Sequence, residues 1–186
     1  MVIYENTALG FRKDVENNSI ADIITEQYKT VLGKAPAPSE QNAFRNSMNY
    51  MERVVRNSEI AEDCGILIEY VIPTTSNRID FLITGHDQND RPNFVIIELK
   101  QWQEANSTEL DGIVTTIMNR SIVSTTHPSY QANSYQSLLS SFNEEISNKN
   151  IYPSSCAFLH NYERKDPEPL LAPQYKEIIE ETPIFF

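Results

Sequence analysis

The sequence predicts an α/β protein in which helices flank a small mixed β-sheet. Three observations carry that prediction. Residues 20–31 and 44–55 repeat apolar side chains at the spacing of a helix face. Three runs after them, 64–73, 77–85 and 91–102, are rich in Ile, Val, Leu and Phe and are parted by short polar turns. A third helical pattern and one more strand close the series. The order is therefore helix, helix, three strands, helix, strand.

The first helix is "NNSIADIITEQYKTVLG", with Ser19 and Asp22 fitting a capping box and Gly33 a stop. Ile20, Ile23, Ile24, Tyr28 and Val31 form its apolar stripe. "KAPAPSE" is a rigid connector, and Ser39 is the expected N-cap of the second helix, which runs to about Asn57. Phe44, Met48, Met51 and Val55 line one face of it, and Arg45 and Arg56 share another. Glu40 falls within the arc of the apolar stripe in the first turn, where the helix dipole favours a carboxylate. "GHDQNDRPN" is a polar turn, so the second and third strands are expected to form a hairpin. Residues 103–127 are rich in Thr and Ser, and "GIVTTIM" within them is read as a short helix. A helix is expected from about Ser129 to Ser147, buried through Tyr130, Leu138, Leu139, Phe142 and Ile146. "PSSCAFLHNY" is the last strand, and the tail holds a short amphipathic helix. The apolar end Ile184-Phe185-Phe186 reads as a domain cut from a longer protein or as an edge that docks.

A chain of 186 residues suits one domain and is long enough to bury a sizeable core. The expected division is an N-terminal helix and connector over 1–38, a core over 39–160 and a tail over 161–186. No apolar run is long enough to span a membrane. Cys64 and Cys156 form no CxxC, so two reduced thiols and a cytoplasmic setting are expected. The formal net charge of -11 opposes non-specific nucleic-acid binding by the whole surface. Residues 1–60 hold seven Lys/Arg against eight Asp/Glu, and the remainder eight against eighteen. A basic contact face therefore leans on the first third, and the carboxylate-rich remainder suits divalent cations.

The charged end of the third strand needs a reason, because desolvating a charge is costly. In "RPNFVIIELKQW", Glu98 and Lys100 stand two apart and so share a strand face. Counting back from the turn sets Asp80, on the neighbouring strand, near Ile97 or Glu98. Two adjacent carboxylates raise each other's pKa, and a divalent cation removes the conflict. Mg2+ or Mn2+ favours oxygen ligands, polarises a phosphate oxygen and acidifies a bound water. Lys100 then orients that water or offsets developing negative charge.

"RID" followed by "IELK" resembles the D…ExK motif of the PD-(D/E)XK nuclease superfamily. "HPSYQANSYQ", with Gln131 and Tyr135 one helical turn apart, resembles the Q-x-x-x-Y element of its RecB-like branch. The longer string through "CAFLHNY" is similar to the N-terminal nuclease-like domain of bacterial schlafen group 3-like DNA/RNA helicases. The resemblance covers roughly residues 40–186. It implies a restriction-endonuclease-like core and a metal-dependent nuclease, with DNA rather than RNA as substrate. Asp80, Glu98 and the Leu99 carbonyl are its implied metal contacts, and Lys100 its catalytic lysine. Gln131 and Tyr135 would support the substrate phosphate or the ligands. Glu40 is the candidate for the superfamily's helix-borne glutamate, ahead of Glu26 and Glu52. A helicase ATPase accompanies such domains, in cis or in trans, and no Walker A loop occurs in this sequence. The residue before Asp80 is Ile79, where the motif has proline.

Plainer readings stand beside these. Asp80, Glu98 and Lys100 also suit a surface salt bridge, Gln131 and Tyr135 helix packing, and Glu40 capping. Trp102 either stacks on a base or packs the sheet end. Arg45 and Arg56 either meet phosphates or form a solvated face. Glu69 is either a further carboxylate of the site or a hydrogen-bonded structural residue, and the structural reading is favoured. Two rival functions remain open: an inactive nuclease-fold module for nucleic-acid binding or helicase docking, and an oligomerising module, which leaves a homo-oligomer possible.

Overall fold

The computed structural model describes residues 1–73, 75–142, 146 and 151–186, the side chain of Phe142 excepted. The expected α/β class with a mixed sheet between helices is what the chain adopts. Strand β1 (Tyr4–Thr7) leads into α1 (Ala8–Glu16), α2 (Ile20–Leu32) and α3 (Pro38–Asn57). Strands β2 (Gly65–Val71), β3 (Arg78–His86) and β4 (Pro92–Leu99) follow. Then come β5 (Ala105–Ser107), β6 (Ile113–Met118), β7 (Ser121–Thr126), α4 (Pro128–Phe142) and β8 (Tyr152–Phe158). The tail adds two 3-10 turns, α5 (Lys176–Glu181) and β9 (Ile184–Phe185). The main sheet runs β1-β2-β3-β4-β8-β9, and a second sheet runs β5-β6-β7. The first four strands are antiparallel, and β8 joins β4, and β9 joins β8, in parallel.

Alternation along the strands decides which helices cover which face. Phe81 and Ile97 join the core under α1–α3, with Phe11, Ile24, Met48 and Met51. Their chain neighbours Leu82 and Ile96 join the core under α4, with Tyr135 and Leu139. A third core ties the small sheet to the tail through Trp102, Val114, Leu159, Leu170 and Tyr175. The parity then reverses inside two neighbouring strands. Ile66 and Ile68 of β2 face α1–α3, whereas Tyr70 and Ile72 face α4. Glu69 lies between them with φ 54, a left-handed backbone that turns the strand over. Across the ladder, Phe81 faces α1–α3 and Ile79 faces α4, with Asp80 between. The register pairs Ile68 with Phe81 and Tyr70 with Ile79, so Glu69 and Asp80 are the opposed residues of the same inversion.

Four expectations need correction. "GIVTTIM" is strand β6, not a short helix. Its β-branched residues alternate, with Val114 and Thr116 buried, and Asn119 and Arg120 (φ 51 and 65) form the two-residue turn into β7. Helix α3 starts at Pro38 after Ala37 rather than being capped by Ser39, because proline already supplies the first-turn φ and needs no N–H partner. Ser19 makes no side-chain cap; its hydroxyl donates to the Asp14 carbonyl at 3.0 Å. The expected order opens on the helix that begins near Asn17, whereas β1 and α1 precede it. By contrast Gly33 does stop α2, at φ 70. The apolar end docks as β9 on the sheet edge. The expected helix end at 143–145 and 147 lies outside the described residues. Cys64 and Cys156 are free and half-buried.

Helix α1 contributes the pivot of the larger core. Phe11 is fully buried and meets Tyr4 and Phe81 edge-on, with centroids 6.3 and 5.3 Å away. Phe11→Ala is expected to cost about 3–5 kcal/mol. Urea unfolding checks this as a lower midpoint at unchanged slope.

Candidate functional site

The β3–β4 ladder pairs Phe81 with Ile97, and one further step sets Asp80 opposite Glu98. Ladder bonds stop there. The Asp80 carboxylate takes over by accepting the Leu99 N–H at 2.9 Å. Beyond the strand, the Lys100 N–H still bonds the Phe158 carbonyl at 3.0 Å, so β8 holds the charged end in place. Glu98 and Lys100 project toward α4. The Lys100 Nζ donates to Glu98 Oε1 at 2.6 Å and to Gln131 Oε1 at 2.9 Å. Gln131 Nε2 donates in turn to the Tyr135 hydroxyl at 2.9 Å. The i, i+4 spacing of Gln131 and Tyr135 is what aligns them on one helix face.

His127 anchors the start of α4. Its Nδ1 accepts the Ser129 N–H at 3.2 Å, so Nε2 carries the proton and donates to the Leu170 carbonyl at 3.0 Å. Burial lowers its pKa and keeps the ring neutral.

The electrostatics are those of two crowded acids. Glu98 is 2 % exposed, and no N–H or O–H donor among the described residues reaches its Oε2, while its carboxyl and that of Asp80 hydrogen-bond when one of them is protonated. Burial, and then the Asp80 charge, push its pKa up to about 8, against the pull of Lys100. Asp80 is raised as well, burial outweighing Lys100 and the Leu99 N–H. The two carboxyls cannot both ionise cheaply.

On the opposite side of Asp80 lies a cavity of about 170 Å³ lined by Glu40, Ser47, Glu69, Asp80, Leu99 and Gln101 among others. Glu69 is buried, accepts the Tyr28 hydroxyl at 2.7 Å and pairs with Arg78 at 2.9 Å. Burial raises its pKa to about 7, and Asp80 adds to the rise. Glu40 enters from the first turn of α3, 3.5 Å from the Tyr28 hydroxyl. Gln101 is held by its amide nitrogen, which donates to the Ala43 carbonyl at 2.8 Å and the Ser47 hydroxyl at 2.9 Å. Ser47 rests on His160 Nε2 at 3.0 Å, and His160 stacks on Tyr50.

The candidate residues thus separate into two sets. Asp80, Glu98, Lys100, Gln131 and Tyr135 form one connected group, and Leu99 and Glu40 share the cavity with Asp80. The remaining candidates lie elsewhere or are occupied. Arg45 is exposed on α3, bonded to Asn42 at 3.3 Å. Arg56 is sixteen residues past Glu40, about 24 Å along the helix. It is tied to Glu52 at 2.7 Å and Glu16 at 3.1 Å. Trp102 is 7 % exposed in the third core, with the Lys100 ammonium 5.6 Å from its ring. It packs the sheet end and offers no open face for a base. Glu26 pairs with Lys29 on the surface, and Glu52 belongs to the Arg12–Arg56 cluster. Sequence reading missed Gln101, Ser47 and His160 and favoured the structural reading of Glu69 over a place in the site. The side-chain partners of Gln101 come from residues 54 and 58 positions away, which no local pattern exposes.

Among the described residues no group of three or more His, Cys, Asp or Glu is gathered as a metal cluster. The donors that fit a cation are two carboxylates and a main-chain carbonyl, with Glu98 Oε2, which no N–H or O–H donor among the described residues reaches, beside Asp80. That set suits a hard cation that keeps several waters, such as Mg2+ or Mn2+, and not zinc. Comparison with protein-family models, with curated proteins and with solved structures finds no match. No helix of the described residues is long and apolar enough to cross a membrane.

The raised Glu69 pKa sets a pH dependence. An unfolded glutamate loses its proton near 4.5, and folded Glu69 holds it to about 7. The folded state binds more protons across that window, so this stabilisation is full below it and is lost as pH rises through 7. Metal-free protein is expected to lose several degrees of Tm between about pH 5 and about pH 8, and Glu69→Gln to flatten part of that fall. Identical slopes for both proteins in thermal melts would refute the assignment.

Proposed function

We propose that this chain has a restriction-endonuclease-like core and is a Mg2+- or Mn2+-dependent nuclease domain that hydrolyses phosphodiester bonds in DNA. A helicase region would act beside it, in defence or repair. The observation that carries the reading is the hydrogen-bonded chain from Glu98 through Lys100 to Gln131 and Tyr135, with the Asp80 carboxyl opposite Glu98 on the neighbouring strand. A salt bridge alone needs neither the second carboxylate nor the glutamine and tyrosine. The motifs that resemble the nuclease superfamily are made of these same residues.

In this reading Asp80, Glu98 and the Leu99 carbonyl hold the cation. When bound, the cation supplies Lewis-acid polarisation of the phosphate and acidifies its water. Lys100 does the protein's share of charge work. Its ammonium is already fixed between Glu98 and Gln131, so it stabilises charge developing at phosphorus without reorganising. Gln131 and Tyr135 hold Lys100 and present amide and hydroxyl dipoles to the scissile phosphate. Glu40 adds negative potential on the far side of Asp80, and Glu69 joins it only as pH rises through about 7.

Two measurements test the reading. Purified protein is incubated with single- and double-stranded DNA and RNA in Mg2+, Mn2+ or EDTA. Cleavage of DNA that needs the metal is expected, with Asp80→Asn and Lys100→Ala each slower by roughly 10²–10³-fold. Gln131→Ala is expected to lose roughly tenfold. A protein that binds DNA and cuts nothing would instead be a binding module. Independently of activity, burial and mutual repulsion favour a proton on the Asp80–Glu98 pair, so loading the cation must expel it. Calorimetry in buffers of differing ionisation enthalpy should show about one proton released per cation at pH 7, and fewer at pH 9.

A further inference from the structure

The described residues contain four sheet edges, and three of them are protected. Strand β1 has four residues and carries Glu5, β9 has two residues, and β5 has three. The chain just past β5 is also held by the tail, through Thr108 N–H to the Tyr175 hydroxyl at 3.1 Å and Gln174 to the Thr108 carbonyl at 2.9 Å. Strand β7 differs. It has six residues, Ser-Ile-Val-Ser-Thr-Thr, with no charge, no proline and no bulge. These are the usual devices by which an edge is kept from pairing, and β7 has none of them.

The hydrogen-bond phase of the hairpin shows which groups have no partner among the described residues. Met118 pairs with Ser121 across the two-residue turn, and the His127 N–H bonds the Gly112 carbonyl at 2.8 Å. Residues 121, 123 and 125 therefore bond to β6, and Ile122, Ser124 and Thr126 turn their N–H and C=O groups outward. Ile122 is 76 % exposed and its cross-strand partner Ile117 is 52 % exposed. A β-branched apolar pair is thus held beside an open backbone edge.

Charge chooses the occupant. The chain carries 26 Asp and Glu, yet residues 112–143 contain none, and Arg120 is the one Lys or Arg among them. Two copies with a net charge of -11 each repel over most of their surface and meet no carboxylate from this segment. A polyanion would want several cations here and finds one. An antiparallel pair of identical strands about a two-fold axis is self-complementary, and an uncharged strand sets no like charges opposite each other.

We propose that β7 is a dimerisation edge. Two copies pair β7 to β7, antiparallel about Ser124, and join their three-stranded sheets into one of six strands. Ile122 of each copy then lies opposite Thr126 of the other, and the Ile117–Ile122 pairs cover the join. This inference is independent of the nuclease reading.

Sedimentation equilibrium of the full chain over a concentration series tests it. Wild-type protein is expected to be dimeric at micromolar concentration. Ser124→Pro removes an outward N–H without touching the bonds to β6, and Ser124→Lys sets two cations face to face on the axis. Each is expected to raise the dimer dissociation constant by at least about tenfold with unchanged circular dichroism. Leu110→Lys, at an exposed residue off the strand, is expected to leave the dimer intact. A wild-type monomer at every concentration overturns the proposal, and so does a dimer indifferent to both β7 variants. Loss of DNA binding in those variants with no change in mass also overturns it, and would assign the strip to nucleic acid.

Discussion

Everything at the candidate site follows from the place where the β3–β4 ladder runs out. There the Asp80 carboxylate accepts the Leu99 N–H that a strand neighbour would otherwise have bonded. A side chain doing a backbone's work cannot swing away, so Asp80 is fixed beside Glu98. The two acids are then forced together at the end of a well-packed sheet, one of them almost without solvent. Lys100 relieves part of that repulsion, but only at Glu98 Oε1; no N–H or O–H donor among the described residues reaches Oε2. A buried carboxylate oxygen left in that state is costly unless something cationic meets it or its pKa rises.

The surrounding fold serves this constraint from both faces. Parallel pairing with β8 extends past β4 and keeps Lys100 in line. Helix α4, anchored at its start by His127 on the tail, brings Gln131 to the ammonium. Helix α3 supplies Glu40 and Ser47 from the other side, and Ser47 with Gln101 makes that wall rigid. The tail is thus part of the support of the site even though no tail residue lines it.

How much of this the sequence could tell depends on the range of each signal. Helices α2 and α3 were legible because their apolar stripes repeat locally, and the β3–β4 hairpin because its turn is so polar. Asp80, Glu98 and Lys100 were legible because period two and a hairpin count bring them together. "GIVTTIM" misled because seven residues fit either period; its fate was decided by Asn119-Arg120, whose paired left-handed backbones make a hairpin. Helix α1 was hidden by Arg12, Lys13, Asp14 and Glu16, which surround Phe11 and Val15. Trp102 and Arg56 were chosen by chemical type, and type does not reveal burial or an ion-pair partner. The inversion at Glu69 and Asp80 had no local sign at all, since glutamate is not the residue that a left-handed backbone selects.

That last feature has an implication for anyone who engineers the protein. Position 69 combines a backbone conformation unfavourable to glutamate with a carboxyl group that burial keeps from ionising easily. Asn or Gly would remove both penalties at once. A selection that rewards thermal stability alone would therefore be drawn to this position, and would take a carboxylate out of the cavity as it did so. Stabilised variants of this chain should be sequenced at residue 69 before they are trusted to report on what the natural protein does.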